Sequence, residues 1–253
     1  MLKAIHYALR DEVIRPNEVI KGSNFTNLLN FVNLLIDYFP TETCGEDIRA
    51  RRYSKRAATS TLKNSEHAIE VFVDLKEWLE EKNNTMKADE WLEKFKTIDD
   101  SKDNPFPEKD PWQHCKGTGP EYRGYTCGLW TAFHTLIVHA NLNNKGKPNE
   151  LNEKCLTNMQ NLDKKSDPME PLKAIQGWIK NSEDAVLYLW NAHNIVNERL
   201  HGKPETEDPQ FLKYQFPPEF LCKECQKSDD KFDDKKVMSF LNKYYTKIKP
   251  IKK

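Results

Sequence analysis

No stretch of this sequence is apolar enough to cross a bilayer; nowhere does a run approach the roughly 20 residues that a span requires. Net charge is missing too, because 39 basic side chains cancel 39 acidic ones. A chain without an overall field has no bulk attraction for nucleic acid or for an anionic membrane. Glycine is scarce, nine in 253 residues, and no glycine loop of the phosphate-cradling kind occurs. No internal repeat is visible. The opening residues, Met1 to Arg10, are too polar for the apolar region of a secretory leader. Either the chain is cytosolic or its natural start lies elsewhere. With 31% charged and 38% hydrophobic residues, much of the surface is solvated.

What is present is helical periodicity. From Asn24 to Phe39, Phe25, Leu28, Leu29, Phe31, Val32, Leu35, Ile36 and Phe39 recur at three- and four-residue spacing, one broad apolar face. Pro40 stops that helix. The pattern returns from Ser65 to Glu81, with Ser65 at the N-cap position, and from Lys87 to Phe95. The basic stretch 49–60 reads as a solvated loop. Residues 99–111 combine turn formers with three prolines and mark a boundary. Beyond it the spacing predicts helices over Tyr125–Leu142, Glu170–Lys180 and Ser182–Leu200. Residues 203–221 hold four prolines and read as an irregular wrap. The Lys- and Asp-rich segment from Ser228 reads as a charged tail in which Val237, Phe240, Leu241 and Tyr244 can form one last helix.

Six cysteines fit neither a small disulfide-dense scaffold nor a cysteine-free cytosolic protein. Cys222 and Cys225 form a Cys-x-x-Cys, which alone is a redox pair or half of a zinc site. No second such pair exists, so zinc would have to recruit histidines from helices. A bridge between Cys115 and Cys127 would staple the intervening loop to the helix that follows. Cys44 and Cys155 have no evident partner. Two sequons, Asn24-Phe-Thr26 and Asn83-Asn-Thr85, permit glycosylation where the chain meets the machinery, and such triplets also arise by chance.

Two aromatic–histidine pairs stand out. Trp130 and His134 are four apart and share one helix face, with Leu129, Phe133, Leu136, Ile137 and Ala140 on the opposite stripe. Trp190 and His193 recur in a second helix, joined by the amides of Asn194 and Asn197. Taken alone, each pair is the pattern of a core aromatic beside a satisfied histidine. Together they offer flat rings and imidazoles from two helices, which suits a planar heterocycle stacked on its faces and held by its edges.

Four blocks carry a resemblance: Trp112-x-x-Cys115, the run Arg123 to His134, the run Leu189 to Leu200, and the run Glu207 to Cys225. In order and spacing, residues 112–225 resemble the Erv/ALR domain of quiescin-type sulfhydryl oxidases. Residues 1–95 resemble, more weakly, the helical pseudo-Erv region that precedes it. The family's thioredoxin-like modules have no counterpart in these residues. The resemblance implies an all-α chain: a small helical module over 1–98, a linker over 99–111, an Erv/ALR-type flavin-binding bundle over 112–227 and a charged tail over 228–253. It implies noncovalent FAD, thiol-containing proteins as substrates, molecular oxygen as electron acceptor with hydrogen peroxide as product, and residence in the secretory pathway. The flavin-contact positions it transfers are Arg123, Trp130, His134, Trp190, His193, Asn194, Asn197, Lys213 and Phe216, the last standing where the family usually has Trp. Cys115 and Cys127 match the family's structural bridge, and Cys222 and Cys225 its C-terminal pair.

One departure stands inside that frame. The family places an aromatic turn, a redox Cys-x-x-Cys followed by a histidine, and a third helix between its second and last bundle helices. Here Leu172–Trp178 matches the second helix and Ile179 already begins the last, a loss of about 20 residues or one short helix with its turn. The flavin-proximal dithiol is lost with them, so no catalytic residue is assigned. Impaired thiol oxidation is expected, and a non-catalytic flavin- or protein-binding module is the alternative.

Overall fold

The computed structural model describes residues 1–15, 18–40, 64–107, 111–112, 117–119, 124–143, 179–227 and 231–248. The chain divides into two compact units, Met1–Glu108 with Ile248–Lys253, and Lys109–Lys247. That division falls inside the segment 99–111. The described residues are mostly helical, as the periodicity implies, and no helix among them is long and apolar enough to cross a membrane.

The first unit opens with α1 (Leu2–Tyr7), which continues as a π-helical turn over Ala8–Glu12. A three-residue ladder, β1 (Val19–Lys21) with β2 (Thr85–Lys87), sets the antiparallel register Val19↔Lys87, Ile20↔Met86, Lys21↔Thr85. Only Ile20 and Met86 of the ladder point inward, as the period-two alternation of a strand requires. Between the strands lie α2 (Ser23–Tyr38) and α3 (Asn64–Glu80); α4 (Ala88–Asp99) follows β2. Gly22 turns the chain from β1 into α2 at φ 58°, a left-handed conformation that glycine adopts at little cost. α2 ends one residue early because Phe39 precedes proline and is forced extended. α3 begins at Asn64, so Ser65 lies within the first turn instead of capping it. The core is built from the periodic faces: Val32 and Leu35 of α2, Phe72 and Leu75 of α3, Trp91 and Phe95 of α4. The wholly buried Trp91 indole donates to the Leu9 carbonyl at 2.7 Å, which satisfies its one polar atom.

The second unit is built on α5 (Tyr125–Asn143), α6 (Ser182–Leu200) and α7 (Asp234–Tyr245), with a 3-10 turn at Lys223–Cys225. α6 starts at Ser182, so Ile179 and Lys180, expected within a helix over 170–180, are not helical; residues 170–178 of that expectation lie outside the described residues. Asn181 caps α6. Its side chain accepts from the Asp184 amide at 2.9 Å while Asp184 accepts from the Asn181 amide at 3.2 Å, a reciprocal capping box. α5 and α6 pack together, and Ser182 donates across to Asn141 at 2.6 Å.

Of the segment expected as a charged tail over 228–253, residues 231–247 pack into this unit. Asp233 caps α7, accepting from the amides of Lys235 and Lys236 at 3.0 and 3.2 Å. Val237, Leu241 and Tyr245 form an i, i+4, i+8 stripe that is buried against α5 and α6, while the lysines face solvent. Burying those three side chains contributes about 5 kcal/mol as an upper estimate.

Candidate functional site

α5 delivers Trp130 and His134 one turn apart, and α6 delivers His193. The three rings meet. Trp130 and His193 stack with centroids 4.1 Å apart and planes 8° from parallel, and His134 lies 5.3 Å from His193. Two further rings complete the cluster. Phe216 lies 5.9 Å from His193, and Tyr245 of α7 stacks on His134 at 4.9 Å and 15°. His134 is 0% exposed. It is thus more deeply buried than Leu129 or Phe133 on the stripe expected to make the core contact.

The two imidazoles are joined by a hydrogen bond, His134 Nε2 to His193 Nδ1, at 3.1 Å. Burial pushes both toward the neutral form. The His134 pKa is driven well below its ordinary value, first by burial and then by His193, and that of His193 falls to about 4 through burial and the Lys213 charge. In a neutral pair one nitrogen donates and the other accepts. Either tautomer leaves His134 Nδ1 as a buried polar atom without a partner. Such an atom costs about 1–3 kcal/mol until something meets it.

The amides of α6 hold backbone. Asn194 Nδ2 donates to the Phe216 carbonyl at 2.8 Å, and its Oδ1 accepts from the Phe216 amide at 2.7 Å. One side chain thereby satisfies both backbone groups of the residue that supplies a ring. The Trp190 indole also donates to that carbonyl, and Asn197 Nδ2 donates to the Tyr214 carbonyl at 2.8 Å. Trp190, Asn194 and Asn197 therefore anchor the wrap from the helix side.

Sequence reasoning missed the other anchor, the carboxylates of Glu207 and Asp208. Glu207 accepts from the Lys213 amide, from the Gly202 amide at 2.6 Å and from His201 Nδ1 at 3.0 Å. Hydrogen bonds from these groups, that of the Lys213 amide foremost, hold its pKa below the usual range. Asp208 accepts from the amide and hydroxyl of Thr118 at 2.7 and 2.9 Å and from the Gln210 amide at 3.0 Å. It ties the segment 117–119 to the wrap. The sole signal was a pair of acids ahead of Pro209 in a turn-rich stretch.

Cys222 and Cys225 are joined in a disulfide, 5% and 0% exposed, which occupies the two sulfurs that half a zinc site would use. Among the described residues no group of three or more His, Cys, Asp or Glu side chains could hold a metal. Cys127 is also disulfide-bonded. Cys115, Cys44, Cys155, Arg123 and the Trp178 side of the Trp178/Ile179 junction lie outside the described residues.

Residues 127–217 match the Erv1 / Alr family. The chain is 32% identical to sulfhydryl oxidase 1 of Gallus gallus over 253 residues, covering 96% of this chain and 31% of that protein. It is 30% identical to sulfhydryl oxidase 1 of Homo sapiens over 249 residues, 88% of this chain and 28% of the relative. Sulfhydryl oxidase 2 of Mus musculus is 32% identical over 151 residues, 54% of this chain and 22% of the relative. The chain therefore spans about a third or less of the curated relatives it matches. A solved sulfhydryl oxidase fragment of human QSOX1 superposes with a TM-score of 0.69 at 27% identity, covering 96% of this chain and 92% of the fragment.

FAD is the group that such relatives imply, and the described residues fit it in kind. The cluster is built of flat rings of the kind a heterocycle packs against, with Trp130 and His193 stacked on each other in this structure, and the unpartnered His134 Nδ1 is a buried polar atom suited to a heterocycle edge.

Proposed function

We propose that this chain, a member of the quiescin-type sulfhydryl oxidases through its Erv/ALR domain, binds FAD at the ring cluster and serves thiol oxidation with impaired turnover. The observation that carries this reading is the convergence of Trp130, His134, His193 and Phe216 in one ring cluster that includes a buried, unpartnered imidazole nitrogen. When bound, FAD would take two electrons from a thiol pair, leaving a disulfide, and in its reduced form would pass them with two protons to oxygen, giving hydrogen peroxide.

The chain's own residues bind and orient. Trp130 and His193 offer stacking faces. His134 and His193 stay uncharged near neutral pH, so neither brings a buried positive charge to the site. Asn194, Trp190 and Glu207 hold the wrap that carries Lys213 and Phe216. Thiol-containing proteins are the proposed substrates, and the secretory pathway the proposed setting.

The impairment rests on the sequence. Its one Cys-x-x-Cys is Cys222/Cys225, and that pair is a buried disulfide. A thiolate must reach the ring to pass electrons to it, and no second pair exists to supply one. The same observation favours a second reading, a flavin-binding module without turnover. Peroxide release from dithiothreitol separates normal turnover from both. We expect a rate above that of equal free FAD but far below that of an oxidase that keeps its flavin-proximal dithiol; a rate no faster than free FAD gives leaves the second reading, and full turnover overturns the impairment.

A further inference from the structure

We propose that Tyr245 is a positioning residue of the ring site: its phenol ring, stacked on His134, fixes the imidazole plane so that Nδ1 is presented to the bound heterocycle. The proposal rests on the FAD reading above. Tyr245 lies beyond residues 127–217, the part of the chain that matches the Erv1 / Alr family, and beyond the segment 112–227 to which the sequence assigns the flavin.

An imidazole is ordinarily oriented by a hydrogen bond at the nitrogen opposite the working one. His134 has one such bond, from Nε2 to His193, and none at Nδ1. That bond fixes where Nε2 lies. The rotation of the ring about the axis through Nε2 is set by what packs on its faces. Trp130 and Phe216 stand 6.1 and 6.3 Å away at 35° and 36°, too distant and too tilted to clamp a plane. Tyr245 alone is close and near parallel, at 4.9 Å and 15°.

Tyr245 is itself firmly held. It is 4% exposed, at the end of the buried stripe with Val237 and Leu241. Its helix is capped by Asp233, whose amide donates to the Cys225 carbonyl at 2.8 Å. Phe240 and Tyr244 of the same helix meet Phe216 edge-on at 5.8 and 6.2 Å. One helix therefore braces both a ring and an imidazole of the site. It also packs against α5 and α6.

The test uses the whole chain with Tyr245→Leu and Tyr245→Phe. FAD affinity is read by flavin fluorescence, and the His134 ring by its NMR ring-current shift and nitrogen tautomer signals. Tyr245→Leu is expected to weaken FAD binding by up to about tenfold, the range of one aromatic stack, and to abolish the ring-current shift. Tyr245→Phe keeps the ring and should bind within about twofold of the parent. If Tyr245→Leu fails to fold, Tyr245→Met fills the volume without a ring and takes its place. Unchanged or tighter FAD binding by the ringless variant, with the parent binding normally, overturns this proposal alone. A parent that binds no FAD overturns the FAD reading and this proposal with it.

Discussion

Trp130 and His193, from helices separated by a long stretch of chain, lie face to face with centroids 4.1 Å apart and planes 8° from parallel. A protonated imidazole over an indole gains about 0.5–2 kcal/mol of cation–π attraction. Burial and the Lys213 charge outweigh that gain, because the His193 pKa falls to about 4. The pair is a stack of neutral rings.

Folded His193 titrates below its unfolded value, so the unfolded chain binds more protons between the two pKa values. The neutral ring's contribution to stability is fully present above about pH 6.5, shrinks as pH falls, and is gone below about 4. Its full size is about 3 kcal/mol. Denaturant midpoints measured across that window should fall with pH, and the fall should flatten in His193→Gln. An equal slope in parent and variant would assign the loss to other groups.

Asn194 should be the most sensitive amide in the second unit. It is 5% exposed and satisfies both backbone groups of Phe216. Asn194→Ala removes two hydrogen bonds at a buried site, with an expected loss of about 2–4 kcal/mol in urea unfolding. Asn197→Ala removes one bond nearer solvent and should cost about 1 kcal/mol. Equal losses would mean that Phe216 is held some other way.

The Cys222–Cys225 bridge should behave as a structural staple. Its loop is short, so chain-entropy reasoning gives about 2 kcal/mol for its removal. The double Ser variant should lose about that much in thermal or urea unfolding and keep FAD affinity within about twofold. A variant of unchanged stability would contradict the structural role.

The long helices were legible because apolar residues recur on one face: Val32 and Leu35, Phe72 and Leu75, Val186 and Leu189. Trp130 and His134 were legible for the same reason, being one turn apart. The β1–β2 ladder was not, because three residues per strand carry too little alternation to register. The opening helix offered Leu2, Ile5 and Leu9 at helical spacing, a signal the sequence reading passed over. That Asn194 and Asn197 hold the backbone of the wrap was not legible, because an amide's place in a sequence does not reveal which backbone groups it meets. Tyr245 was hidden by the lysines and aspartates around it, which form the exposed face of the helix whose other face it serves.

FAD binding by the whole chain tests the central claim most directly. The protein is mixed with excess FAD, desalted, and its bound flavin measured by absorbance, alongside His134→Ala. We expect about one flavin per chain in the parent and a clearly reduced amount in the variant. A folded parent from which all flavin separates, or a variant that retains as much as the parent, would contradict it.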